Sequence, residues 1–298
     1  MKIENWKLTS RLLVLPLFLL ISYKEHLTIT ALYYKVYAMK VGYVQNSPFF
    51  GDKEKNFDQV GKLIGDVGAD VLVLPELFAT GYAFASKKEI KKLAETNNGE
   101  TAAFLKEISA KTGAVIVAGF IEKDNGTYYN SSILVHKNKV IDTYRKIHLF
   151  NKEKLWFSPG NKRLSVHNVN GIKIGMMICF DWIFPEVSRT LALNGTQIIA
   201  HPANLVLSHC QKAMLTRCIE NRVFSVTANR IGNEKRGEDD FVFTGRSQIT
   251  SFDGKILSSA PENKTFIDVV EIDASEANNK MITEYNDVLG DRRKEFYE

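Results

Sequence analysis

Cysteine is scarce in this 298-residue chain, which contains only Cys179, Cys210 and Cys218. An odd number of cysteines without scaffold-like spacing argues against a disulfide-stapled secreted domain, and it indicates free thiols in a reducing, cytoplasmic compartment. The group formed by His209, Cys210 and Cys218 also lacks the short paired spacing of structural zinc ligands. We therefore expect these residues to pack in a helix, and we expect neither a metal nor a cofactor.

The chain has little excess charge and no segment rich enough in Pro, Gly or Ser to form a linker. Its formal net charge is +5, and part of this comes from the first 38 residues, which hold five Lys/Arg and two acidic residues. From Met39 onward the balance is 34 − 32 = +2. No basic stripe remains, so the sequence does not predict a nucleic-acid-binding protein.

Long hydrophobic runs are also missing. The most apolar segment, residues 12–22, is about half the roughly 20 residues that span a bilayer, and Pro16 interrupts it. No signal-peptidase-like site follows it. We predict that residues 1–38 are an appendage ahead of a start at Met39, with a weak membrane segment or a packed arm as alternatives. Membrane association is not expected.

From Met39 on, the chain alternates between strand and helix patterns. Apolar residues at helical spacing predict helices from Phe57 to Val67, stopped by Gly68, and at Thr101–Lys111 and Gln211–Val223. Short apolar or alternating runs predict strands at 39–45, 71–74, 114–120, 131–135, 140–144, 164–169, 172–178, 198–200, 225–229, 247–251, 255–258 and 266–272. This order predicts one α/β domain over 39–298 with a mixed sheet and a C-terminal tail from about 275.

Three polar residues stand where three apolar strands end. Glu76 follows the strand at 71–74, Lys146 follows the strand at 140–144, and Cys179 follows the strand at 172–178. Each alone is ambiguous, because a solvated Glu, a surface Lys and a packed Cys are all common. Together they supply a base, a cation and a nucleophile at the strand ends where α/β proteins bind ligands.

The segments around these residues resemble the signature motifs of the nitrilase superfamily, which consists of carbon–nitrogen hydrolases. They read LPELFATGY at Glu76, YRKIHLF at Lys146 and MICFDWIFPE at Cys179, and HPANL, RCIENRVFSVTANR and FTGRSQITSFDG follow in the family's order. The similarity runs from Met39 to the end of the chain. It implies a four-layer αββα sandwich with mixed β-sheets, a Glu76–Lys146–Cys179 triad, and a second glutamate matched by Glu153.

The resemblance also implies roles for the site residues. Glu76 is expected to take the thiol proton and later to activate water, while Lys146 favours the thiolate and faces the oxyanion. The second oxyanion donor is the backbone N–H of Phe180, and Glu153 positions the substrate or tunes Lys146. Three further residues are candidates to line the substrate pocket: Tyr82, Trp182 and Asn204.

Several alternatives stay open at this point. True nitrilases usually carry Cys-Trp-Glu, whereas this chain has Cys179-Phe180-Asp181, which favours a small amide or ω-amide substrate over a nitrile or an N-carbamoyl compound. His148 or His201 is a less favoured base for the cysteine. A catalytically silent binding protein on the same fold would be expected to lose one of the three residues, and this chain keeps all three. Members of the family usually form dimers, so a homodimer or higher homo-oligomer is expected.

Overall fold

A computed structural model describes residues 38–65 and 67–297. The segment 12–22 and the rest of the predicted appendage up to residue 37 lie outside these residues. The strands are β1 (Ala38–Gln45), β2 (Val71–Val73), β3 (Val115–Asp124), β4 (Thr127–His136), β5 (Lys139–Arg145), β6 (Val166–Val169), β7 (Ile172–Met176), β8 (Ile198–Pro202), β9 (Phe224–Ala228), β10 (Asn233–Arg236), β11 (Asp239–Val242), β12 (Gln248–Thr250), β13 (Ile256–Ser259), β14 (Phe266–Asp273), β15 (Met281–Thr283) and β16 (Asn286–Asp287). The helices are α1 (Lys53–Ile64), α2 (Lys87–Leu93), α3 (Glu100–Thr112), the single turn α4 (Glu153–Trp156), α5 (Pro185–Leu193) and α6 (Cys210–Asn221), with 3₁₀ turns at Cys179–Ile183, Ala274–Asn278 and Lys294–Phe296.

Two six-stranded sheets form the centre of the fold. The first has the order β14-β1-β2-β3-β4-β5, and the second has the order β13-β12-β9-β8-β7-β6. In the first sheet β1, β2 and β3 are parallel, and β4 and β5 continue antiparallel. In the second sheet β7, β8 and β9 are parallel, flanked by antiparallel β6 on one side and β12 and β13 on the other. Both sheets are therefore mixed.

The core shows how the layers stack. Side chains alternate along each central strand, so that Val71 and Val73 of β2 pack toward the second sheet while Leu72 packs toward α1 and α3. On the far side of the second sheet, α5 and α6 cover β7 and β9 with side chains such as Leu191 and Met214. The order of layers is helix, sheet, sheet, helix, which confirms the predicted αββα sandwich.

Local sequence signals account for several boundaries. Asn170 and Gly171 take φ values of 54° and 83° between β6 and β7, as a tight hairpin requires. Gly113 caps α3 in the left-handed conformation, and Pro185 begins α5, where its missing N–H costs nothing. One predicted helix end is wrong. Helix α1 stops at Ile64, because Gly65 turns the chain with a positive φ before Gly68 is reached.

The C-terminal region begins as part of the packed body. Lys280 Nζ donates hydrogen bonds of 3.0 and 2.8 Å to the carbonyls of Asn221 and Arg222 at the end of α6. Further on, Phe296 and Tyr297 are more than half exposed. Along the part of the chain that the structure describes, no helix combines the length and the hydrophobicity needed to cross a lipid bilayer.

Candidate active site

Glu76 lies just beyond β2 and is completely buried. Pro75 and Leu77 flank it, and Leu77 has a φ of 50°, so the chain turns sharply at this point. A Cβ atom on Gly119 of β3 would lie only 2.5 Å from the Glu76 Cα. The absence of a side chain at residue 119 therefore allows the Glu76 segment to cross the neighbouring strand.

Lys146 follows β5 and is held between two carboxylates. Its Nζ donates to Glu76 Oε1 at 2.8 Å and to Glu153 Oε1 at 2.8 Å, and its own side chain is fully buried. Asn130 of β4 braces both partners, because its Nδ2 donates to Glu76 Oε1 at 2.6 Å and its carbonyl accepts from the Lys146 N–H at 2.9 Å. The predicted glutamate and lysine thus meet across the end of one sheet.

Cys179 lies beyond β7 of the other sheet, at the start of a 3₁₀ turn, and is 5% exposed. Its φ of 41° is unusual for a residue with a side chain, so the backbone at Cys179 is conformationally strained. His201 Nε2 lies 3.0 Å from the Cys179 carbonyl oxygen, and its Nδ1 lies 3.0 Å from Thr227 Oγ1. The backbone N–H of Asn204 lowers the pKa of the Cys179 thiol. These contacts stabilise the sharp turn.

Asp181 connects the cysteine segment with the lysine segment. Its Oδ2 accepts from Ile178 N at 2.9 Å and from the Tyr144 hydroxyl at 2.7 Å. Its Oδ1 accepts from His148 N at 3.2 Å and lies 2.9 Å from His148 Nδ1. Tyr144 and His148 stand two residues before and two residues after Lys146. One buried carboxylate therefore fixes the two segments relative to each other.

The charges at the site are strongly coupled. Burial alone would lower the pKa of Lys146, but the Glu153 and Glu76 carboxylates outweigh it and raise that pKa above its usual range. Burial raises the pKa of Glu153, with Lys146 acting against it. Burial and Glu153 also keep the pKa of Tyr82 well above its usual range, so the Tyr82 hydroxyl is protonated and donates to Glu153 Oε1 at 2.7 Å. The ammonium is firmly charged.

The Cys179 thiol experiences opposing effects on its pKa. Lys146 does lower the pKa of the Cys179 thiol, as expected, but burial and the Glu76 carboxylate prevail and raise that pKa well above its usual range. These effects together favour the thiol form of Cys179 over the thiolate.

A cleft of about 230 Å³ opens beside the Cys179 sulfur. Trp182 and Asn204, two of the three predicted pocket residues, line it together with Phe150, Phe180 and Leu205–Leu207. The Asn204 amide is 2% exposed, and neither its oxygen nor its nitrogen has a hydrogen-bond partner. Tyr82 lies elsewhere, in a second cleft of about 280 Å³ that it shares with Glu153.

The histidine alternative finds no support in the geometry. Burial lowers the pKa of His201 to about 4, and both of its ring nitrogens lie within hydrogen-bond distance of atoms other than the sulfur. His148 is bound to Asp181 and stacks on Phe184 with ring centroids 3.6 Å apart.

In residues 38–65 and 67–297, no three His, Cys, Asp or Glu side chains gather as metal ligands would. Cys210 and Cys218 pack as buried residues of α6.

The sequence did not reveal the hydrogen-bonding roles of Asn130 and Asp181 or one buried ion pair. Asn130 sits in the middle of β4, and Asp181 was considered only as a departure from a motif. Arg230 Nη1 lies 2.6 Å from Glu234 Oε1, and Glu234 Oε2 accepts from the backbone N–H groups of Tyr82 and Ala83. Of these residues only Asp181 gave a signal, as a charged residue inside the apolar stretch 176–184, and that signal does not reveal its partners.

An αββα sandwich with a buried cysteine beside a Glu–Lys–Glu cluster defines a class of thiol-containing hydrolases. Comparison with known proteins gives the family. The carbon–nitrogen hydrolase family model matches residues 40–279. The chain is 45% identical over 263 residues to a nitrilase of Pyrococcus abyssi, covering 87% of this chain and 99% of that protein. It is 32% identical to an (R)-stereoselective amidase of a Pseudomonas species, over 86% and 92% of the two chains.

The fold comparison agrees with the sequence comparison. The crystal structure of a carbon–nitrogen hydrolase from Helicobacter pylori G27 superimposes with a TM-score of 0.78 at 24% identity, covering 88% of this chain and 97% of that one. The chain belongs to the carbon–nitrogen hydrolase family, and it is an enzyme that hydrolyses non-peptide C–N bonds.

Proposed function

We propose that this hydrolase cleaves small carboxamides through a thioester on Cys179. Glu76 acts as the base, and the Lys146 ammonium stabilises the oxyanion. One observation carries the proposal. The two residues and Glu153 form a single hydrogen-bonded cluster, in which Lys146 lies 2.8 Å from each carboxylate, and the buried Cys179 responds electrostatically to all three. A protonated thiol beside a carboxylate suits nucleophilic attack coupled to proton transfer.

The first half-reaction forms the thioester. Glu76 Oε2 is buried without a hydrogen-bond partner, and it takes the proton of the Cys179 thiol as the sulfur bonds to the amide carbon. Lys146 Nζ and the Phe180 N–H, at the first turn after the nucleophile, stabilise the oxyanion. The C–N bond then breaks, the nitrogen receives the proton from Glu76, and ammonia leaves.

The second half-reaction consumes water. Glu76 takes a proton from the water as its oxygen bonds to the thioester carbon, and the C–S bond breaks when the oxyanion collapses. The sulfur recovers a proton, and the carboxylic acid departs. Glu153 is a positioning residue here, because its Oε1 receives both Lys146 and the Tyr82 hydroxyl and its Oε2 receives the Phe150 N–H at 3.1 Å.

Nitrile hydrolysis is the second candidate. The relative at 45% identity is named a nitrilase although this chain has Phe180-Asp181 after the cysteine. The Asp181 carboxylate is bound to Tyr144, Ile178 and His148 and is fully buried, so it is not free to contact a leaving group. The motif difference therefore weighs less against nitriles than the sequence suggested. A nitrile consumes two waters and also passes through the thioester.

The test is intact-mass analysis of Glu76→Gln incubated with a panel of amides and nitriles. A glutamine oxygen can keep the hydrogen bonds from Asn130 and Lys146, while its nitrogen occupies the place of the unpartnered Oε2. Only the ability to accept a proton is removed. Because Glu76 serves both half-reactions, we expect slow turnover, with an acyl adduct on Cys179 for those substrates whose thioester hydrolysis is slowed more than its formation. Cys179→Ala should release no ammonia. The matched control is Cys210→Ala, a buried cysteine in α6, which should keep its activity.

Ammonia release that persists in Cys179→Ala would overturn the mechanism. Ammonia release by wild type with no adduct on any variant or substrate would overturn the thioester.

We further propose a cytoplasmic homo-oligomer that works without a membrane, with residues 1–38 dispensable and the hydrolase domain at 39–298. The three free cysteines support a reducing compartment. Exposed apolar side chains near α5, α6 and the tail, such as Leu193, Ile219 and Tyr297, support self-association. Sedimentation analysis of the full chain and of a variant starting at Met39 tests the oligomeric state and whether assembly needs residues 1–38.

A further inference from the structure

We propose that the site accepts short, uncharged and apolar acyl groups and discriminates against ω-amides that carry a free carboxylate. The inference rests on the proposed function, because it assigns the cleft beside Cys179 to the acyl chain. Apart from Cys179 and Asn204, the side chains lining that cleft are all hydrocarbon or aromatic. They are Phe150, Phe180, Trp182, Leu205, Val206 and Leu207.

The size of the cleft limits the acyl chain. Its volume of about 230 Å³ includes the space at its open mouth. Because that volume counts the open mouth, the enclosed part is smaller still, and it admits only an acyl chain of a few carbon atoms.

The charges around the site disfavour an anion. Lys146 is already shared by Glu76 and Glu153, so the cluster carries one ammonium for two carboxyl groups. A carboxylate on the substrate would be a third acidic group in a buried, low-dielectric site, where repulsion between like charges is strong. Lys146 is thus unavailable as a counter-ion.

Two other cations near the site are also engaged. Arg230 is buried and pairs with Glu234 at 2.6 Å, and its guanidinium lies 3.9 Å from the Phe243 ring centroid. Lys152, which lines the second cleft, pairs with Asp239 at 2.7 Å. A carboxylate of the substrate would have to break one of these pairs or stay unpaired, and an unpaired buried charge is costly.

Polar groups in the cleft are limited to Cys179 and Asn204. The unpartnered amide of Asn204 follows β8, and the Asn204 backbone N–H lowers the pKa of the Cys179 thiol. Its side chain offers one acceptor and two donors near the reacting carbon, where a substrate carboxamide also has both. The remainder of the cleft offers van der Waals contact, which an alkyl chain satisfies and a carboxylate does not.

The experiment compares three amides of similar shape on the full-length enzyme. They are 4-methylpentanamide, its carboxylate isostere succinamic acid, and the cationic 4-aminobutanamide, with ammonia release as the readout. We expect kcat/KM for 4-methylpentanamide to exceed that for succinamic acid at least about 100-fold. The cationic amide should also be poor, because the apolar side chains that line the cleft offer its ammonium group no acceptor.

A change of charge at the cleft mouth sharpens the test. Leu207 is 42% exposed, so a cation placed there can remain solvated. Leu207→Lys should narrow the gap between 4-methylpentanamide and succinamic acid about tenfold or more, whereas the matched uncharged variant Leu207→Met should leave the ratio unchanged. Equal or better turnover of succinamic acid by wild type overturns this inference, and turnover of the cationic amide above the neutral one does so as well. Either result leaves the proposed thioester mechanism intact, because that mechanism is tested separately, by ammonia release from Cys179→Ala and by the acyl adduct on Cys179.

Discussion

Replacing Asp181 by asparagine should damage both stability and turnover, although the change adds almost no volume. The carboxylate receives Ile178 N and the Tyr144 hydroxyl on one oxygen, and it contacts His148 N and Nδ1 on the other. An asparagine has one acceptor oxygen, so its NH₂ group must face at least one backbone N–H. A buried donor left without an acceptor costs about 1–3 kcal/mol.

The other hydrogen bonds weaken at the same time. Bonds to a charged acceptor contribute about 1.5–3 kcal/mol, against about 0.5–1.5 for neutral ones. Together these effects predict that Asp181→Asn lowers the free energy of unfolding by about 3 kcal/mol, measured by urea denaturation at pH 7. Tyr144→Phe removes a single donor and leaves the carboxylate in place, so it should cost about 1 kcal/mol and serves as the control.

The kcat of Asp181→Asn tests separately whether Asp181 positions Cys179. With the brace weakened, Cys179 is no longer held against the Lys146 segment, and a displacement of about 1 Å costs on the order of 100-fold in rate. We expect kcat to fall by that factor while KM changes little, since Asp181 does not line the cleft. The reasoning is refuted if the free energy of unfolding of Asp181→Asn lies within about 0.5 kcal/mol of the wild-type value and its kcat is unchanged.

Two further predictions follow from close contacts and from charge. Gly119→Ala should reduce kcat/KM at least about 100-fold, because the new Cβ would lie 2.5 Å from the Glu76 Cα and must displace Glu76. The control is Gly68→Ala, whose Cβ would meet no atom within 4 Å. The Asp142 carboxylate, 2.8 Å from His167 Nε2, has a pKa lowered to about 2 by that hydrogen bond despite burial. Because its pKa is lower in the folded state, the Asp142 carboxylate stabilises the fold at pH values above the unfolded pKa near 3.8, and this contribution is lost as the pH falls toward 2. Between pH 5 and pH 3, the free energy of unfolding in urea should therefore fall by about 1 kcal/mol more in wild type than in Asp142→Asn. Equal losses in the two proteins would show that the ion pair adds nothing.

The sequence predicted the central strands well because their short apolar runs are bounded by turn residues. Buried β2 and β8 are uniformly apolar or nearly so, and the hairpin at Asn170-Gly171 has a strong local signature. Helix α2 was missed, because only Ile90 and Leu93 of its seven residues are buried and no helical period stands out. The hairpin β10–β11 was also missed, since its charged residues alternate without an apolar face.

The same contrast holds at the candidate site. The positions of Glu76, Lys146 and Cys179 followed from strand ends, and the structure brings Glu76 and Lys146 into direct contact, with the cysteine in the same buried site. The protonation state of the thiol could not be predicted, because it depends on how completely water is excluded and on the balance between a cation and two carboxylates. The direction of the Asp181 side chain depends on the left-handed turn at Cys179, which sequence spacing does not specify.

In the proposed mechanism the two sheets contribute different groups to the reaction. Glu76 and Lys146 lie at strand ends of the first sheet, and Cys179 and Asn204 lie at strand ends of the second. Neither sheet holds the full set by itself, so turnover should depend on how the two sheets are positioned against each other. A change that slides one sheet over the other should therefore abolish turnover before the chain has unfolded.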